Sequence, residues 1–169
     1  MRKLNYKAIL VAALAAFVFS SLYYSPLLLG NIWNELRGIN PREVDKAMSV
    51  WKPIVEFIRT LIIAYVFARF IAFVAISHWK TAIRFGLGIW VGFPVVILTG
   101  FVIWENLPWG VATIHAGDWL VKALFFSYVF SIWQPKHDGE RDIEATKRYS
   151  PNTRWVGVEK IYAKKATKR

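Results

Sequence analysis

Four long apolar runs constrain this chain more than any other feature. They cover about 8–29, 53–77, 82–104 and 109–133, each 22 to 25 residues, and most of the charged residues fall between them. A helix rises about 1.5 Å per residue, so each run is long enough to cross a hydrocarbon core of about 30 Å. Helices on a soluble surface interleave charged residues with an apolar stripe at every turn, and these runs do not. With 56% hydrophobic and 17% aromatic residues, the chain is also too apolar for an ordinary soluble domain. The expected fold is an all-α integral membrane protein, with four transmembrane helices in an antiparallel bundle over 1–135 and a basic cytoplasmic C-terminal tail over 136–169. The basic start, Met1-Arg2-Lys3, is like that of a signal peptide. The first run is long and continues into two tyrosines, which predicts a retained helix instead.

The links at 78–81 and 105–108 have four residues each, so the helices they join are antiparallel neighbours. The longer link, 30–52, places Trp33, Leu36, Ile39, Val44, Met48 and Trp51 among charges. This pattern fits a short amphipathic helix lying at the membrane interface, and a plain solvated loop fits equally. Basic residues set the orientation. The N-terminus, the second link and the tail carry fifteen, against four in the first link and none in the third, which places both termini in the cytoplasm. Trp33, Trp51, Trp79, Trp104, Trp109 and Trp133 fall at or near the ends of the runs, where an amphipathic ring is favoured by the headgroup layer.

The net charge of +11 would suggest nucleic acid in a soluble protein, but in a membrane protein anionic headgroups account for it, and no nucleic acid is expected. The absence of cysteine removes disulfides, thiolate metal sites and thiol catalysis. A di-iron bundle needs two Glu-x-x-His motifs and two more carboxylates, whereas the spans offer only Glu56 and the stretch His115-Ala116-Gly117-Asp118. A bis-histidine haem fails for want of a second histidine inside a span. No metal or cofactor is expected. The chain contains no Gly-rich phosphate loop, HExxH or GxSxG, so an enzyme has no positive support.

Charges inside the spans are costly, at least about 2.5 kcal/mol each on the mildest insertion scale, so they should face one another. The second span holds Glu56, Arg59 and Arg69, and the fourth holds His115, Asp118 and Lys122. Spacings of three and four put Glu56 with Arg59, and His115 with Asp118 and Lys122, on single faces. Counted from the outer ends, Arg59 and His115 lie about 9 Å deep and Asp118 about 14 Å, so Arg59 and Asp118 are expected to pair. Tyr23, Tyr24 and Ser25 of the first span and Glu105 after the third lie toward the same side. The cluster of Tyr24, Glu56, Arg59, His115, Asp118 and Lys122 reads either as structural ion pairing that fixes helix order or as a solute, ion or proton site.

The third span carries Gly86, Gly88, Gly92 and Gly100 around Pro94. Gly88, Gly92 and Gly100 are spaced by four and eight, a close-packing face for the bundle itself or for a partner helix. In the tail, Trp155, Val156, Val158, Ile161 and Tyr162 add apolar anchors to ten basic residues. Headgroup attraction needs only the basic residues, so Trp155, Ile161 and Tyr162 are candidate contacts to a protein partner.

The stretch Tyr23-Tyr24-Ser25-Pro26-Leu27-Leu28-Leu29-Gly30, followed by Trp33, resembles the WYSPLLFG-x-x-W signature of a bacterial membrane-protein family known as domain of unknown function 1761. Ile89-Trp90-Val91-Gly92-Phe93, then Trp104-Glu105, Pro108 and a His-Ala-Gly stretch ending in Trp133, are similar to its later helices. The resemblance covers about 4–135. It departs at Tyr23 and Leu29, where the family usually has Trp and Phe. It implies a small four-helix protein, in the bacterial inner (cytoplasmic) membrane, with no assigned reaction. Two function classes follow from the sequence. One is a non-catalytic accessory or scaffold subunit that docks on a larger membrane complex beside other membrane subunits. The other is a small-solute, ion or proton transporter built on the charged cluster.

Overall fold

Helix boundaries follow local stop signals more closely than they follow hydropathy. The computed structural model describes residues 4–39 and 51–133. Helix α1, Tyr6–Tyr23, opens on Asn5, whose side chain accepts from the Ala8 N–H at 3.1 Å and satisfies one of the free donors of the first turn. It stops before Ser25-Pro26, because the residue before a proline is pushed out of helical geometry. The apolar run to Leu29 therefore does not continue as one helix. A short helix, α2, Gly30–Leu36, follows, so this part of the first link is helical. Helix α3 is Trp51–Phe73, and α4 is Trp79–Trp90. A π-helical turn, Val91–Val95, leads into α5, Val96–Trp104, and the last described helix is α6, Trp109–Trp133. Among the described residues there is no strand.

Both tight links use a left-handed residue to close the preceding helix. After α3, Ala75 has φ 56°, and the Ile76 N–H donates to the Ile71 carbonyl at 3.1 Å while both isoleucines enter the core. After α5, Asn106 has φ 55°, and the Leu107 N–H donates to the Phe101 carbonyl at 3.1 Å. The first is a Schellman closure and the second a wider turn whose N–H reaches six residues back, and both reverse the chain within a few residues. Asn accepts this conformation readily, whereas Ala holds it at a cost of roughly 1 kcal/mol.

Pro94 explains the π turn. A proline inside an α-helix lacks an N–H and collides with the carbonyl four residues earlier, and a widened turn with one extra residue relieves the collision. The extra residue also rotates everything after it, so α5 does not continue the packing face of α4.

Helix α6 is the hub, packing against each of the other helices. Helices α1 and α3 approach closely through Ala12, Ala13 and Ala16 on one and Ala64 and Ala68 on the other, small residues that let two backbones come together. Phe67, Phe126 and Phe130 fill the inner core, with Phe126 and Phe130 stacked at 5.8 Å. Helix α4 lies on α6 at Gly86, where a Cβ would stand 2.6 Å from Ser127 Oγ and 2.8 Å from the Ala123 carbonyl oxygen. Beyond the π turn, α5 buries no residue.

Two of these helices, Tyr6–Tyr23 and the continuous Trp79–Trp104, are long and apolar enough to cross a membrane. Helices α3 and α6 match them in length, but they carry the charges that form the candidate site.

Candidate functional site: the α6 hub and its polar network

Five consecutive residues of α6, 114 to 118, are each engaged by a side chain from elsewhere. The Ile114 carbonyl accepts from Tyr23 Oη at 3.2 Å. His115 lies against Tyr24 and Trp33, with Nδ1 2.7 Å from Tyr24 Oη and Nε2 3.5 Å from the Trp33 indole nitrogen. The Ala116 carbonyl accepts from the Trp90 indole N–H at 2.8 Å. Gly117 leaves room for Tyr23, since a Cβ there would stand 2.5 Å from the hydroxyl. Asp118 accepts from Ser20 Oγ at 2.5 Å and from Lys122 Nζ at 2.8 Å. Helix α1, its exit turn, α2 and α4 thus converge on one short segment.

The charges form a chain that alternates in sign. Lys122 Nζ lies 2.8 Å from Asp118 Oδ2 and 3.6 Å from Glu56 Oε1, and Glu56 Oε2 accepts from Arg59 at 2.8 Å. The four groups sum to zero. Asp118 and Lys122 are buried, at 5% and 4% exposure, while the Arg59 side chain is 60% exposed. This is the arrangement that makes burial tolerable: each charge keeps an opposite neighbour, and Asp118 gains a neutral donor as well.

The pairing of Arg59 with Asp118 expected from depth does not form. Lys122 sits one turn from Asp118 on the same helix and takes the cation position without crossing between helices. Arg59 turns instead to Glu56 on its own helix. Of the six residues expected to cluster, Glu56, Arg59, Asp118 and Lys122 make this chain, while Tyr24 and His115 form a separate aromatic group with Trp33. Glu105 stays exposed at the end of α5.

The glycines also redistribute. Gly88 and Gly92 are exposed, and a Cβ on either, or on Gly100, would meet nothing within 4 Å. Of these glycines only Gly86 packs against the bundle, and a Cβ on Gly88, Gly92 or Gly100 would find open space. The tail residues Trp155, Ile161 and Tyr162 lie outside the described residues. Among the described residues no group of three or more His, Asp or Glu is placed to hold a metal ion.

The exit of α1 gives the aromatic stretch its structural reason. The Gly30 N–H donates to the Ser25 carbonyl at 2.9 Å and the Leu29 N–H to the Tyr23 carbonyl at 3.1 Å, closing a tight reversal after Pro26. A Cβ on Gly30 would lie 2.6 Å from the Ser25 carbonyl carbon, so only glycine fits. The reversal folds α2 back, with Trp33 edge-on to Tyr24 and His115, and Leu36 over Gly110. The family model described as Protein of unknown function (DUF1761) matches residues 7–131, a stretch containing the reversal, the π turn and the hub. The chain belongs to that family. No curated protein and no solved structure matches it. Within this DUF1761 domain, Ser20, Gly30, Trp33, Trp90, Gly110 and Gly117 join the site beyond the six residues expected. Trp33 and Gly30 carried a signal, as part of the quoted signature. Ser20 and Trp90 carried only position, one polar residue and one indole inside apolar helices.

Proposed function

We propose that this protein crosses the bacterial inner membrane four times, with both termini cytoplasmic, as a non-catalytic accessory or scaffold subunit that docks on a larger membrane complex. Four spans are supported by the tryptophans. Trp51 begins α3, Trp79 and Trp104 bound the α4–α5 helix, Trp109 and Trp133 bound α6, and all five are exposed. Rings at both ends of the α4–α5 and α6 helices, each about 38–39 Å long, suit two headgroup layers. Glu56, Arg59, Asp118 and Lys122 do not oppose spanning, because they neutralise one another where the helices meet, and Arg69 lies about one turn from the end of α3, where a long side chain can reach the headgroups. Reporter fusions after Arg169 and near Asn40 should score on opposite sides of the membrane. A cytoplasmic Asn40 reporter would overturn the topology.

The docking reading is carried by the third span. A Cβ on Gly88, Gly92 or Gly100 would meet open space, and the second half of this helix has no fully buried residue. A bare glycine in a helix costs about 0.5–1 kcal/mol relative to Ala, and close approach of another helix is what offsets that cost. The occupant is a transmembrane helix of a partner subunit. The apolar and basic residues of the tail supply a second attachment, beside anionic headgroups. Gly92→Leu should leave the melting temperature of the purified protein within about 2 °C of the parent. The same change should release the protein from the complex recovered in mild detergent. A complex that survives both Gly88→Leu and Gly92→Leu would remove this face from the interface.

The Asp118–Lys122–Glu56 chain favours one other reading, a small-solute, ion or proton transporter. It requires a monomer stabilised by its substrate, and a strictly monomeric protein in mild detergent would shift the conclusion to it.

A further inference from the structure

The polar contact between α2 and α6 depends on one nitrogen having a free lone pair. An indole N–H can only donate, so the 3.5 Å contact from Trp33 is a hydrogen bond in the tautomer that leaves His115 Nε2 unprotonated. Neutral imidazole then carries its proton on Nδ1, which donates to Tyr24 Oη at 2.7 Å. Helix α2 has few further anchors. Its seven residues are too few for a stable isolated helix, Gly30 is its one buried residue, and beyond the reversal that ties Gly30 to Ser25 it is held by the Trp33 ring against Tyr24 and His115 and by Leu36 over Gly110.

We propose that α2 is a proton-operated latch: protonation of His115 at Nε2 sets a second donor against the Trp33 N–H, and the segment Gly30–Leu36 lifts away from α6. The charges around the ring favour movement in that direction. Asp118 on α6 and Glu56 on α3 are the negative charges that face His115, and both sit on elements that stay in place. Arg37, which closes α2 and rests 4.6 Å over the Trp33 ring, is a positive charge that an imidazolium repels, and it travels with the latch. Arg59 is the other positive charge, already paired with Glu56 on α3. Tyr23 and Tyr24, at the end of α1, complete the titratable groups around the ring. Protonation removes one hydrogen bond, leaves two donors face to face and adds a like charge on the moving side.

The chain has no cysteine, so two introduced ones can be labelled specifically. Nitroxides on Ile32→Cys in α2 and Val121→Cys in α6, both exposed positions, report the separation of the two helices in the full-length protein in detergent. At pH 7.5 a single short distance is expected. At pH 5.5 a second population should appear, longer by roughly a helix diameter of 10 Å. His115→Gln keeps an acceptor near the Nε2 position but does not titrate, and should show the short distance at both pH values. Trp33→Phe removes the donor, leaves only the Arg37 repulsion, and should reduce the pH response whatever its resting distance. An unchanged distribution in the parent, or the same pH shift in either variant, overturns the latch. His78 and His137 are present in every variant, so a response arising from them would survive both changes and be recognised.

Discussion

Lys122→Met should destabilise the protein by about 3–5 kcal/mol, the range found when one partner of a buried ion pair is removed. The loss follows from burial. Asp118, at 5% exposure, would keep only the Ser20 hydroxyl, and its carboxylate would have no counter-charge in a place that water does not reach. Glu56 would lose its weaker contact at 3.6 Å but keep Arg59. The double variant Asp118→Asn/Lys122→Met removes both charges together, retains an acceptor for Ser20, and should recover more than half of the loss. Arg59→Ala should cost less than Lys122→Met, because Glu56 keeps Lys122 at 3.6 Å and the buried Asp118–Lys122 pair is left whole. Unfolding of the four proteins in detergent micelles gives all the values at once. A larger effect at Arg59 than at Lys122 would mean that the charge network is centred on the wrong residue.

The contrast between those two cations shows where reading a sequence stops. The apolar runs located α6 to the residue at both ends, because tryptophan and a short link bound it on the side that precedes it and tryptophan bounds it on the other. They overran α1, because Leu27, Leu28 and Leu29 are as apolar as a span while Pro26 ends the helix. Counting rise along a helix gave Arg59 and Asp118 compatible depths, but depth says nothing about azimuth, and Lys122 was already within reach of Asp118 on its own helix. The same gap separates Gly86 from Gly88 and Gly92. Periodicity groups the latter two on one face but does not say which face of the third span meets α6, and the π turn at Pro94 then shifts the register before Gly100. Contacts to backbone carbonyls, such as Trp90 to Ala116 and Tyr23 to Ile114, leave no pattern in a sequence because every residue offers the same acceptor. The signature around Tyr24 and Gly30 was visible as a resemblance. Its cause became visible only once the chain was seen to double back on itself.

That reversal supports the second large effect, an ordering among three glycines with the same chemistry and different surroundings. Gly30→Ala should cost about 3 kcal/mol, at the upper end of ordinary overpacking. The added methyl would meet the carbonyl groups of Tyr24 and Ser25, and backbone atoms held by the reversal's own hydrogen bonds have no alternative rotamer. The turn must open, which displaces Trp33 from His115 and Leu36 from Gly110. Gly110→Ala should cost about 1 kcal/mol or less, because the methyl meets only the end of the Leu36 side chain, which can rotate aside. Gly88→Ala meets nothing, and should stabilise the isolated protein by about 0.5–1 kcal/mol through the lower backbone entropy of the unfolded chain. Thermal unfolding of the three variants should therefore fall on both sides of the parent. Hydrogen exchange in the peptide covering residues 24–37 should separate the causes, rising sharply in Gly30→Ala and staying at the parent rate in Gly88→Ala. If Gly30→Ala melted with the parent and left that peptide protected, the close reversal would not be what holds α2 on α6, and the strict requirement for glycine at position 30 would need another origin.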